Sequence, residues 1–159
     1  EVPAMDILVN HAGPGPGPED TGLGRICDLD EPTTLAAFTE LVADRLPVTA
    51  WGVRGAGDPG AEIRRVALCG GSGDSLLGAA RAAGADVYLT GDLRHHVVDE
   101  HLREGGPMLV DAAHWALEFP WCTQAATLLE EGAGVTATVC DHRTDPWTVA
   151  AGGAAGRHR

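Results

Sequence analysis

Apolar positions along this chain follow two periods, and the places where one gives way to the other outline an α/β protein. Arg65-Val66-Ala67-Leu68-Cys69 is a short apolar run that stops at Gly70-Gly71-Ser72-Gly73. The pattern predicts a strand over Ile63 to Cys69, a glycine turn, and a helix capped by Asp74-Ser75 that runs from Leu76 to Ala83 and ends at Gly84. Asp86 to Leu89 is the next strand, followed by Thr90-Gly91-Asp92-Leu93-Arg94-His95-His96 and another helix. Met108 to Val110 then leads into Asp111-Ala112-Ala113-His114-Trp115-Ala116-Leu117-Glu118.

The flanking segments continue the alternation. Gly24 to Leu29 reads as a strand, and Pro32-Thr33-Thr34 opens a helix with Leu35, Phe38, Leu41, Val42 and Leu46 at helical spacing. Thr49 to Val53 is an expected strand and Gly55 to Gly60 a turn. Beyond a break at Pro120, Thr123 to Glu131 has helical spacing and Val135 to Cys140 alternates as a strand does. Met5 to Val9 is a further candidate strand. Gly13 to Pro18 alternates glycine with proline, so residues 1–20 read as a linker, 21–149 as the α/β unit and 150–159 as a disordered Gly/Ala-rich tail. Strands alternating with helices imply a largely parallel or mixed sheet with helices on both faces. In such sheets ligands collect at the carboxyl ends of strands. Three successive strands here end in glycine, carboxylate or imidazole.

Composition narrows the classes. The 159 residues suit one domain with a real core, and aromatics at 4% leave Ala, Val and Leu to build it. Lys+Arg 11 against Asp+Glu 23 gives a net charge of −12, which repels nucleic acid and anionic membranes. No apolar run approaches the roughly 20 residues a membrane span needs, and no signal-like segment opens the chain. The four cysteines (Cys27, Cys69, Cys122, Cys140) have no paired spacing. Cys69 and Cys140 lie on strand-like runs where buried, inert thiols are expected, and a reducing, cytoplasmic compartment follows.

Several groups could carry chemistry. His114 and Glu118 stand four apart on one helix face, where imidazole and carboxylate can clasp a Zn, Mn or Fe ion or simply pair at the surface. Asp92, His95 and His96 are the nearest further candidates, with Asp99 beyond. They could serve as ligands, as general acid/base groups or, with Arg94, as phosphate contacts; equally, they could be a polar helix start. Asp111 could orient His114 or cap the helix. The Gly70-Gly71-Ser72-Gly73 turn could offer backbone N–H groups to an anion or be a tight connection, since it lacks the G-x-G-x-x-G spacing.

The runs Val66 to Gly73, Gly84 to His96 and Val110 to Glu118, in that order and spacing, resemble the carboxyl-terminal half of the Nif-three-like family, whose members carry the name GTP cyclohydrolase 1 type 2 homologue. The resemblance covers roughly Gly22 to Trp147, and Asp145-Pro146-Trp147 resembles actinobacterial members. It implies one lobe of a two-lobe protein with two divalent metal ions per site between the lobes, and homo-oligomers of toroidal form. His114 and Glu118 match the family's late ligand pair, and Asp92, His95 and His96 match residues lining the cleft, where they would be catalytic. A nucleotide-like ligand would then meet the Gly70 to Gly73 turn. The family's early ligands, from a His-His-Pro strand end and a Thr-Asn-x-Asp segment, do not occur in this sequence. The expectation is therefore about half the usual protein, with residues 1–20 including a remnant of the preceding lobe. Its function would be that of a metal-dependent hydrolase with an incomplete site or, alternatively, of a non-enzymatic metal-dependent scaffold.

Overall fold

A computed structural model describes residues 23–151. The expected Met5 to Val9 strand, the 1–20 linker with its His11, and residues 152–159 of the tail lie outside them. Strands β1 (Arg25–Thr34), β2 (Val53–Ala56), β3 (Glu62–Ser72), β4 (Val87–Gly91) and β5 (Met108–Ala112) form one sheet in the order β1-β3-β4-β5-β2. The inner three run parallel, while β1 and β2 close the edges antiparallel to β3 and β5. Helices α1 (Leu35–Arg45), α2 (Leu77–Ala82), α3 (His95–Arg103) and α4 (His114–Ala133) connect and cover them. The mixed sheet with helices on both faces is the architecture the alternating pattern implies.

The period of two divides the core. Val66, Val87, Leu89, Val110 and Ala112 face Leu35, Phe38 and Val42 of α1 and Ala116 of α4. Their neighbours Ala67, Tyr88 and Leu109 face the other way, onto Leu77 and Ala80 of α2 and Leu93. All five residues of β4 are buried, as a central parallel strand covered on both sides requires. Between Ile63 and Val66 the parity slips by one. There the Asp86 carboxylate accepts from both Arg64 N (2.8 Å) and Arg65 N (2.7 Å). Successive amides pointing to one acceptor mark a bulge, and the β1–β3 register shifts at the same place.

Local chemistry accounts for the helix starts in part. The Thr34 side chain accepts from Ala37 N at 3.2 Å and so caps α1. The expected cap at Asp74-Ser75 is not made: a 3₁₀ turn (Asp74–Leu76) leads into α2 with no side-chain cap, and the Asp74 carboxylate binds Arg94 instead. Three further expectations change. The strand placed at Thr49 to Val53 begins at Val53 and takes in the expected turn residue Gly55, because its ladder with β5 decides its place. Helix α4 runs on through Pro120 rather than breaking there, so one backbone bond, to the Ala116 carbonyl, is lost inside a 20-residue helix. Val135 to Cys140 forms no strand, since alternation makes a segment compatible with a sheet but only a pairing neighbour makes it a strand.

Candidate functional site

The carboxyl ends of β3, β4 and β5 meet the start of α4. β4 ends at Gly91, and Asp92 follows with φ +58°, the left-handed region that Asp tolerates better than most residues. Its successor is fixed by Asp111 on β5, whose Oδ1 accepts from Leu93 N at 3.2 Å. Asp111 is 4% exposed, and its Oδ2 accepts from Arg54 Nε (2.7 Å) on the neighbouring β2 and from Trp51 Nε1 (3.3 Å). The Arg54 guanidinium lies over the Trp51 ring, 4.5 Å from its centroid. Neither expected role of Asp111 is realised: it does not bind His114, and the N-cap of α4 is Ala113 without a side-chain bond. Its lone pairs are taken by Arg54, Trp51 and the Leu93 amide.

Asp92 is the carboxylate that meets His114. Its Oδ2 accepts from His114 Nδ1 at 2.7 Å, while Glu118 Oε1, one turn further along α4, stands 3.1 Å from Nε2. The hydrogen bond to Asp92 holds the His114 pKa above the ordinary imidazole value; burial opposes this and the Glu118 charge reinforces it. With a carboxylate on each nitrogen, the doubly protonated ring is favoured. A cation between Nε2 and Oε1 would take the place of one proton.

The donor set fits a metal ion on one side. Two donors each about 2.0–2.2 Å from one ion can stand 3.1 Å apart. A carboxylate on the far ring nitrogen is the usual partner of a metal-binding histidine. Gly71 supplies a second observation: its φ is +67°, and a Cβ there would lie 2.7 Å from Glu118 Oε1 and 3.1 Å from His114 Nε2. Only glycine leaves that space open. Among the described residues, no group of three or more His, Cys, Asp or Glu side chains converges to hold an ion. The chain offers a pair of donors and a supporting carboxylate.

The remaining expected residues fall nearby. His95 and His96 open α3, both exposed, and do not line the cleft of about 290 Å³ beside His114. Arg94 is held by Asp74 at 2.7 Å. Gly70, Gly71 and Ser72 complete β3 and Gly73 follows. The Gly71 and Gly73 carbonyls accept from Thr90 Oγ1 (3.2 Å) and Tyr88 OH (2.9 Å), bonds that brace a tight connection. The cleft is walled by Trp51, Trp115 and Trp147 and also takes in Asp145, none of which the sequence pattern singled out for chemistry. Among the thiols, burial pushes Cys27 up to about 11 and raises Cys69; Tyr88 is likewise pushed up to about 12. Cys69 is buried as expected, whereas Cys140 is exposed, having lost the strand that was to bury it. No described helix is long and apolar enough to cross a membrane.

A mixed five-stranded α/β sheet with a histidine between two carboxylates at its carboxyl edge is thus the class of protein defined here. Residues 4–146 match the family model described as Duf34/NIF3 (NGG1p interacting factor 3), and the chain belongs to that family. It is 50% identical over 153 residues to a GTP cyclohydrolase 1 type 2 homolog of Mycobacterium leprae, covering 95% of this chain and 39% of that protein. Against the Streptomyces coelicolor protein of the same name the identity is 48%, over 91% of this chain and 54% of that one. The chain therefore spans two fifths to about half the length of these relatives. A crystal structure of a Bacillus cereus protein related to NIF3 superposes with a TM-score of 0.73 at 33% identity, over 80% of this chain and 36% of that one.

Proposed function

We propose that this chain supplies one side of a divalent-metal centre, with zinc, manganese or iron held by His114 and Glu118, in a hydrolase-like protein acting on a nucleotide-like substrate. The observation that carries the reading is the His114 Nε2 and Glu118 Oε1 pair, 3.1 Å apart beneath the bare Cα of Gly71, with the far nitrogen engaged by Asp92. The name borne by the relatives, GTP cyclohydrolase 1 type 2 homolog, supports the nucleotide class. When bound, the ion would supply a water whose pKa is brought near neutral. Asp92 holds a proton at Nδ1 so that Nε2 stays free for the ion. Asp111 and Arg54 hold Leu93, and through it the strained Asp92 backbone, in place. The other ligands of a two-metal centre would come from the part of the longer relatives that this chain does not span.

Equilibrium dialysis with zinc or manganese, followed by elemental analysis, tests this. The wild type should bind weakly and release its metal to a chelator, and the His114→Ala, Glu118→Ala double variant should bind at least about tenfold more weakly. Equal binding by both would remove the proposal, and two tightly held ions per chain would remove its half-site form. One observation favours a second reading, that of a non-enzymatic scaffold: α4 carries Trp121, Leu128 and Leu129 at 50%, 48% and 53% exposure. Apolar surface of that kind finds a partner, a second copy of the chain in the first instance. A partner complex retained equally by the double variant would favour the scaffold.

A further inference from the structure

We propose that Asp145 and the three tryptophans beside the His114–Glu118 pair form a recognition pocket for a planar heteroaromatic ring with adjacent N–H donors, the edge shared by guanine and pterins. The proposal rests on reading this cleft as a substrate site and names what the site recognises. Asp145 is 8% exposed and lines the cleft. Its Oδ1 accepts from Trp147 N at 3.2 Å, whereas its Oδ2 is buried without a hydrogen-bond partner. A buried carboxylate oxygen with no donor costs free energy, so a donor that reaches it is strongly favoured.

The surroundings select the kind of donor. Trp51 and Trp147 meet with ring centroids 6.0 Å apart at 38°, and Trp115 lines the same cleft, so its walls are aromatic and suit a flat ring. Arg54 already lies over Trp51, and Arg143 over Trp115 at 5.0 Å, which disfavours a cationic ligand on those faces. Asp92 and Glu118 on the His114 side repel a phosphate. A neutral ring avoids both conflicts. At about 290 Å³ the cleft stands at the lower end of the roughly 300–1,000 Å³ of small-molecule sites, which suits a ring system rather than a whole nucleotide. Recognition needs the Asp145 side chain to turn its free oxygen toward the ring. The adjacent N–H donors then pair with the two carboxylate oxygens.

Three of the four tryptophans line the cleft, so intrinsic fluorescence of the metal-free chain reads binding directly. The probes are guanosine, pterin, inosine (which lacks the 2-amino group) and adenosine. Guanosine or pterin should quench at a concentration at least tenfold below inosine and adenosine, and the tighter of the two identifies the source of the edge. Asp145→Asn should weaken that binding about 10- to 100-fold, to the level of inosine, with an unchanged far-ultraviolet circular dichroism spectrum. Equal quenching by guanosine, pterin and inosine, no quenching by guanosine and pterin, or a folded Asp145→Asn that binds as the wild type would overturn the proposal. The guanosine-to-inosine ratio on the wild type decides the matter even if the variant does not fold. Metal retention, scored separately, separates the two readings. A chain that binds the ring but no metal removes the metal proposal alone, and one that binds metal but no ring removes this one alone.

Discussion

Gly71 shows how narrowly single residues constrain the centre. A Cβ at this position meets Glu118 Oε1 at 2.7 Å, and the backbone is left-handed at φ +67°. Gly71→Ala should therefore cost about 1–2 kcal/mol of stability from the backbone alone and should also displace the Glu118 carboxylate. Gly78, in α2, has nothing within 4 Å of its added Cβ and carries no such backbone constraint. Gly78→Ala should instead add about 0.5–1 kcal/mol. Urea unfolding of the two variants beside the wild type checks the opposite signs, and shifts of the same sign would show that the crowding at Gly71 is not felt. At this scale the sequence was informative wherever neighbours in the chain are neighbours in space. His114 and Glu118 were legible from one turn of helix. The tie between Asp111 and Arg54 was not, because it spans 57 residues and exists only through the β2–β5 ladder. Asp145 was illegible for the same reason: its neighbours in the cleft come from distant parts of the chain.

Elements were read best where pattern and packing agree. The α1 stripe of Leu35, Phe38 and Val42 is buried as its spacing requires, and the apolar runs of β3, β4 and β5 are the three inner strands. Edges were read worst, since the position of β2 and the fate of Val135 to Cys140 depend on a partner rather than on their own alternation. Pro120 is the clearest contest between local and tertiary terms. It sits inside α4, where proline is less favourable than alanine by up to about 3 kcal/mol. Pro120→Ala should raise stability by about 1–3 kcal/mol. A higher urea midpoint with slightly greater helical ellipticity is the expected result; an unchanged midpoint would mean that the helix bends at Pro120 to suit its packing.

The fold as a whole keeps the half-buried Cys27 thiol and the buried Cys69 thiol and Tyr88 phenol neutral. Cys27 and Tyr88 are raised from 9.0 and 10.0 to about 11 and about 12, burial being the first cause for each. The unfolded chain therefore ionises first, so this contribution to stability is complete below about pH 9 and is lost as pH rises toward 11 to 12. Denaturation midpoints should stay level from pH 8 to about 9 and fall from there to pH 11, and a profile flat throughout would contradict the burial. The exposed Trp121, Leu128 and Leu129 on α4 carry a further expectation, that the isolated chain associates at micromolar concentrations. Light scattering reads it, and Leu128→Glu with Leu129→Glu should return the chain to monomer.

The central claim is the placement of one divalent ion between His114 and Glu118, with Asp92 on the opposite nitrogen. Anomalous diffraction at the zinc edge from zinc-soaked crystals tests it most directly. The account predicts a peak about 2.0–2.2 Å from both His114 Nε2 and Glu118 Oε1, beneath Gly71, with the Asp92–Nδ1 hydrogen bond intact. A peak on the Nδ1 side between His114 and Asp92, or none near His114 at all, would contradict it.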